Sequence, residues 1–165
     1  MAASDIGFTL RQARAEDYPA IRKMIRRVGI NPLGLHWERF VLTVDGSGSM
    51  IGCGQVKQHG DGSRELASIA VAEAWRGQGV ASAIIRHLMQ KENERLFLTC
   101  RVGLGSFYKR FGFQEAEISE LTPYFRHLSR LVESLRILRL MPAEGLLIML
   151  WESESVKSDQ EKTKR

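Results

Sequence analysis

Trp75-Arg-Gly-Gln-Gly-Val-Ala-Ser-Ala-Ile-Ile-Arg-His-Leu88 sets two glycines one residue apart and then runs unbroken into apolar residues at helical spacing. A helix N-terminus leaves N–H groups without partners, and the aligned peptide dipoles add a partial positive charge. Glycine at the closest point of approach lets an anion reach those groups, and Arg76 sets a full charge beside it. Phosphate is the natural guest. Two glycines alone read better as a plain turn, so the flanking sequence has to decide. No Gly-Lys-Ser/Thr follows, which excludes a P-loop. A dinucleotide fingerprint fails too: its third glycine is missing, and Cys100 and Arg101 stand where an acid should end the next strand.

Upstream of the glycines, Arg64-Glu-Leu-Ala-Ser-Ile-Ala-Val-Ala72 reads as a strand; downstream, Leu96-Phe-Leu-Thr-Cys100 is an apolar run of strand length. Between them a helix is expected from about Gly79 to Glu94, packing Val80, Ile84, Ile85 and Leu88 on one side, so the three elements form a crossover unit with parallel strands. Toward the N-terminus, Phe8–Arg14 alternates as a strand, Ala15–Val28 has helical periodicity with Pro19 in its first turn, and Gly29–Trp37 is a loop rich in breakers. Strands at Arg39–Val44 and Ser49–Gln58 end in Asp45-Gly-Ser-Gly and His59-Gly-Asp-Gly, which are hairpin turns because glycine supplies positive φ. Beyond the crossover, Ser106–Phe111 is a short helix stopped at Gly112, and Phe113–Glu117 is a strand. Thr122-Pro123 is a cap and first-turn proline opening a helix through Met141, with Phe125, Leu128, Leu131, Val132, Leu135 and Leu138 on one face. Gly145–Trp151 closes the chain's regular structure as a buried strand.

The remaining bounds are compositional. With 165 residues, 44% hydrophobic and 26% charged, the chain predicts one globular domain over residues 1–151. No apolar run approaches the roughly 18 residues of a membrane span, and MAASDIGFTLRQARAEDY lacks a secretory pattern, which predicts a cytoplasmic protein. Cys53 and Cys100 form no CxxC pair and stand apart from the histidines, so neither a metal site nor a disulfide framework is expected. The net charge of +5 does not choose among nucleic acid, anionic surfaces and anionic small ligands. Residues 152–165 hold as many acids as bases and almost nothing apolar, predicting a disordered tail and leaving the positive excess on the folded body.

Arg76-Gly-Gln-Gly79-Val-Ala81 resembles the pyrophosphate motif Arg/Gln-x-x-Gly-x-Gly/Ala of the GNAT superfamily of N-acetyltransferases. Glu65-Leu-Ala-Ser-Ile-Ala-Val71 is similar to that family's fourth strand, and Tyr108-Lys-Arg-Phe-Gly112-Phe113 to its second signature. The three matches stand in the family's order and cover about Phe8 to Trp151. The resemblance implies an α/β fold: a mixed sheet of six or seven strands flanked by helices, with parallel strands four and five splayed and one extra helix before the last strand. It also implies acetyl-CoA as acyl donor. The pyrophosphate would rest on the N–H groups of Gln78, Gly79, Val80, Ala81 and Ser82 beside Arg76 and Gly77, and the pantetheine arm would pair with the backbone of Ile69, Ala70 and Val71.

Transfer to an amine has its own requirements. An ammonium acceptor with a pKa near 10 must lose a proton before nitrogen can attack. Glu65 is at the family's position for that base, with an exposed strand-end carboxylate as the competing reading. Tyr108 matches the acid that serves the departing thiolate, and a bulge near Ile69 would free a backbone N–H for the acetyl oxygen. Direct attack needs no covalent intermediate, so Cys100 is not the nucleophile.

Two departures stand out. Arg101 is roughly where many family members place a cofactor-binding asparagine, and the helix from Thr122 to Met141 replaces a short connection. Its outer face carries Arg126, Arg130, Arg136 and Arg139; it reads as a packing element, a cover for the acceptor end, or a homodimer contact. The loop Ile30–Trp37 is the other expected acceptor wall. Three functions compete: an acetyltransferase for a small-molecule or peptide and protein amine, an acyl-CoA-binding module without turnover, and a basic nucleic-acid or protein-binding domain, which ranks last. No membrane partner is expected.

Overall fold

The computed structural model describes residues 7–138 and 145–153. The chain divides into two compact units, Met1–Lys57 with Leu66–Lys91 and Gln58–Glu65 with Glu92–Arg165. Its elements are β1 (Phe8–Gln12), α1 (Tyr18–Arg27), β2 (Phe40–Asp45), β3 (Met50–Gln58), β4 (Arg64–Val71), α2 (Val80–Met89), β5 (Leu96–Arg101), α3 (Gly105–Lys109), β6 (Gln114–Glu115), α4 (Pro123–Ile137) and β7 (Leu146–Trp151), with short 3-10 turns between several of them. The strands form one seven-stranded mixed sheet in the order β1-β2-β3-β4-β5-β7-β6, with β4 and β5 parallel. This is the α/β architecture expected from the motifs.

In the first unit, β1 and β2 are antiparallel with Leu10 opposite Thr43, and β2 continues against β3 with a register shift at Thr43/Val44. Ile21 and Ile25, one turn apart on α1, are wholly buried with Phe40, Leu42 and Cys53. Each such aliphatic side chain contributes about 1.5–3 kcal/mol by leaving water. A Cβ on Gly52 would lie 2.9 Å from Val80 and 2.6 Å from Thr43 Oγ1, and one on Gly54 would lie 2.6 Å from both Ile69 and Ile84. Only hydrogen at these two positions of β3 lets α2 and β4 seat as closely as they do.

The hairpin turns form as expected. Asp45 N–H reaches Ser49 O at 3.0 Å and His59 N–H reaches Ser63 O at 2.9 Å, with Gly48 and Gly62 at φ of 82° and 85°. Helix α2 ends at Met89 rather than near Glu94. Lys91 N–H tightens onto Leu88 O at 3.2 Å, and in the second unit the Glu92 carboxylate is buried against the Arg64 guanidinium.

In the second unit β7 pairs antiparallel with β5, Leu98 opposite Met149, and with β6, Gln114 opposite Leu150. Phe97, Leu121, Phe125 and Leu150 make the core. The expected apolar face of α4 is only partly used: Phe125 is buried, whereas Leu131 is 56% and Leu138 65% exposed. Leu128 packs on the core from the second turn, and Val132 and Leu135 are half-buried. Thr122 does not cap α4 with its side chain; Asp61, in the β3–β4 turn, accepts the Tyr124 N–H at 2.8 Å. The predicted end of this helix at Arg139–Met141 lies outside the described residues, as does the tail from residue 154. Glu152 and Ser153, which composition assigned to the tail, are held: Glu152 pairs with Arg95 at 2.7 Å, and Ser153 Oγ donates to Asn93 O at 2.6 Å. Among the described residues no helix is long and apolar enough to cross a membrane.

Candidate active site

The glycine-flanked stretch lies in the first unit. Gly77 and Gly79 have φ of 75° and 82°, and nothing lies within 4 Å of where a Cβ would sit on either. These glycines are required by backbone conformation, and their open side leaves the backbone approachable. Gly79 is the N-cap of α2 and offers no side-chain acceptor. The N–H groups of Val80, Ala81 and Ser82 therefore have no intrahelical partner. Val80 is buried, Ala81 and Ser82 are half-buried, and Arg76 and Gln78 are exposed, with Gln78 Nε2 tied back to Ala74 O at 2.8 Å. A helix start of this kind can receive an anion on its backbone amides, and Arg76 stands three residues before Gly79.

Along β4, Ser68 has φ of 58°, the only described residue other than glycine in the left-handed region. Such a conformation costs of order 1–3 kcal/mol and persists only when its surroundings enforce it. Here Ser68 is buried, and its Oγ accepts from the wholly buried Gln55 Nε2 at 2.9 Å. This left-handed residue lies within β4, one position before Ile69, near which a bulge is expected from the resemblance. Ala70 is buried, while Ile69 and Val71 are half-buried.

In the second unit Glu65 is not an exposed strand-end carboxylate. It is 6% exposed, and both of its oxygens are engaged: Oε1 accepts from Thr99 Oγ1 at 2.9 Å, and Oε2 lies 2.9 Å from His59 Nε2. The His59 ring stacks on Tyr124 with centroids 3.5 Å apart and meets Phe125 edge-on at 5.6 Å. Glu65, His59 and Tyr124 thus form one packed group joining β4, the β3–β4 turn and the first turn of α4. Sequence reasoning missed His59, Thr99 and Tyr124. The hairpin itself held a signal: closing His59 against Ser63 places His59 and Glu65 on the same face as diagonal neighbours.

Tyr108 sits on α3 with its ring edge-on to Phe107 at 5.1 Å and to Phe113 at 6.2 Å. Burial, reinforced by Cys100, pushes its phenol up to about 12. Burial likewise pushes the Cys53 thiol to about 12 and the Cys100 thiol to about 11, so both sulfurs stay protonated and unreactive at neutral pH. Of the expected acceptor loop, Leu35 is buried and Trp37 packs in the first unit's core, whereas His36 is exposed. Arg101 is exposed at the end of β5. Among the described residues no group of acidic, cysteine and histidine side chains could hold a metal ion.

Residues 36–115 match the acetyltransferase (GNAT) domain family. The solved structure of Rv2747 from Mycobacterium tuberculosis, in complex with CoA and NLQ, is 25% identical, with 88% of this chain and 99% of that one covered at a TM-score of 0.67. N-acetylglutamate synthase from Neisseria gonorrhoeae, complexed with coenzyme A and N-acetyl-glutamate, is 23% identical at a TM-score of 0.68, with 88% of this chain and 35% of that one covered. A GNAT-family acetyltransferase from Staphylococcus aureus shares the fold at 9% identity, with 88% and 98% covered and a TM-score of 0.63. No curated protein matches the chain by sequence. The match to the GNAT domain family spans 80 of the 165 residues and contains Glu65, the glycine-flanked stretch and Tyr108.

Proposed function

We propose that the protein transfers an acetyl group from acetyl-CoA to a primary amine by direct attack, both substrates being bound together. The observation that carries this reading is β4 itself, which holds a buried, doubly hydrogen-bonded carboxylate at Glu65 and a left-handed backbone at Ser68 three residues on. A packing strand needs neither.

The proposed roles follow from the chemistry. The cradle from Gln78 to Ser82 takes the pyrophosphate, and the backbone of Ile69–Val71 pairs with the pantetheine amides. Glu65 accepts the acceptor's proton as its nitrogen bonds to the thioester carbon. Charge building on the acetyl oxygen is met by the Ile69 N–H, a donor fixed in advance and so worth more than one water could supply. Collapse of the tetrahedral intermediate breaks the C–S bond. The Tyr108 phenol then serves the departing sulfur as a hydrogen-bond donor. A phenol at about 12 facing a thiol of ordinary pKa near 8.5 lies about 3.5 units uphill for full transfer, or ~5 kcal/mol. We place this chemistry in a cytoplasmic, single-domain protein.

The acceptor class is tested by release of free CoA from acetyl-CoA across a panel of free amino acids, polyamines, lysine peptides and N-terminal peptides. L-glutamate and L-arginine head the panel, because the Neisseria synthase has been solved with N-acetyl-glutamate and with L-arginine. Glu65→Gln is expected to lower kcat by about 10²–10⁴-fold with the KM for acetyl-CoA unchanged. Silence across the panel with CoA still bound would support a binding module instead.

A further inference from the structure

We propose that His59, clamped by Tyr124 of α4, is the positioning residue of Glu65, so that the inserted helix acts on the base and is not a packing element alone. This rests on Glu65 being the base. The imidazole donates its Nε2–H to Glu65 Oε2 across 2.9 Å while Thr99 donates to Oε1. Two donors on two oxygens hold the carboxylate in one rotamer.

The ring that gives the first of these bonds cannot swing away. Its backbone is locked in the turn by bonds to Ser63 and Gly62, one ring face is covered by Tyr124, and Phe125 meets it edge-on. Tyr124 is in turn anchored through its N–H to Asp61 of the same turn at 2.8 Å. The β3–β4 turn and the N-terminus of α4 therefore hold each other, and Glu65 is reached through them. The titratable groups around the ring are Glu65 from β4, Asp61 from the turn and the Tyr124 phenol from α4. The Asp61 carboxylate is spent on Ser63 and on the helix terminus, which leaves Glu65 as the acceptor for His59.

Two measurements test this. Nitrogen-15 NMR of the ring in the full chain, which needs no acceptor, is expected to show His59 as the Nε2–H tautomer, with that preference lost in Glu65→Gln. A ring carrying its proton on Nδ1, or one averaging both tautomers, overturns the proposal. In CoA release with the fastest amine of the panel, His59→Ala is expected to lower kcat about 10-fold to 100-fold without changing the KM for acetyl-CoA. His59→Gln should recover most of kcat, Tyr124→Ala should reproduce part of the loss, and His59→Ala should add nothing in a Glu65→Gln background. If Glu65→Gln abolishes turnover while His59→Ala, folded by circular dichroism, keeps wild-type kcat, the positioning role is wrong and the base stands. If Glu65→Gln keeps full activity, the base reading fails, whatever the tautomer.

Discussion

Tyr108 is a phenol among rings, and its surroundings decide how it can serve the reaction. Burial raises it to about 12, so it remains neutral across the working range and cannot by itself cause a loss of activity near pH 10. Tyr108→Phe is expected to lower kcat by about 10²-fold, the usual cost of one transition-state donor. Alkaline absorbance titration should show a phenol step near 12 that this variant lacks. The opposite outcome, a Tyr108 step at 10, would mean an open ring and a different donor. Glu65 teaches the converse lesson: its position in the strand was legible from the motif, but its two hydrogen-bond partners were not. Thr99 comes from β5, 34 residues away, and a contact of that span leaves no trace in local spacing.

At the scale of elements, the sequence placed each regular segment from period and punctuation, and the errors fall where tertiary contacts end or cap a helix. Asp61 is the clearest instance. Burial raises its carboxyl, but hydrogen bonds from Ser63 and the Tyr124 N–H together outweigh that and bring it below the usual carboxylate range. A depressed native pKa gives stability that is present above the unfolded value near 3.9 and disappears as pH falls through the native one. Asp61→Ala should therefore cost about 1 kcal/mol at pH 7, as lost caps do, and its gap from wild type should begin to close only below about pH 4. Thermal melts across that range check the sign. The glycine notch of β3 belongs here too. Gly54→Ala sets a Cβ 2.6 Å from Ile69 and Ile84, and overpacking of this kind costs about 1–3 kcal/mol, a drop that chemical denaturation would read at unchanged m-value. Gly79→Ala is of another sort: the space is open, but φ of 82° is not. It is expected to raise the KM for acetyl-CoA several-fold while leaving kcat nearly intact, since the cradle grips a remote part of the donor.

For the whole molecule, the grip on the CoA pyrophosphate and the proton transfer at Glu65 are assigned to different residues, so they should separate. CoA at about 100 times its dissociation constant stabilises a native state by about 2.7 kcal/mol, and a matching rise in melting temperature is expected for wild type and Glu65→Gln alike. Local sequence determined the order of strands and helices, the crossover around α2 and the amide cradle, because each depends on periodicity or on backbone freedom at named glycines within a few residues. Family resemblance supplied Glu65 and Tyr108 as places of interest. The partners of Glu65, the cap of α4, the exposure of Leu131 and Leu138 on that helix and the reason β3 carries glycine at 52 and 54 were decided only by the tertiary structure. Hydrogen bonding, burial and close packing act between side chains brought together by folding, and a one-dimensional pattern records the residues without recording which of them meet.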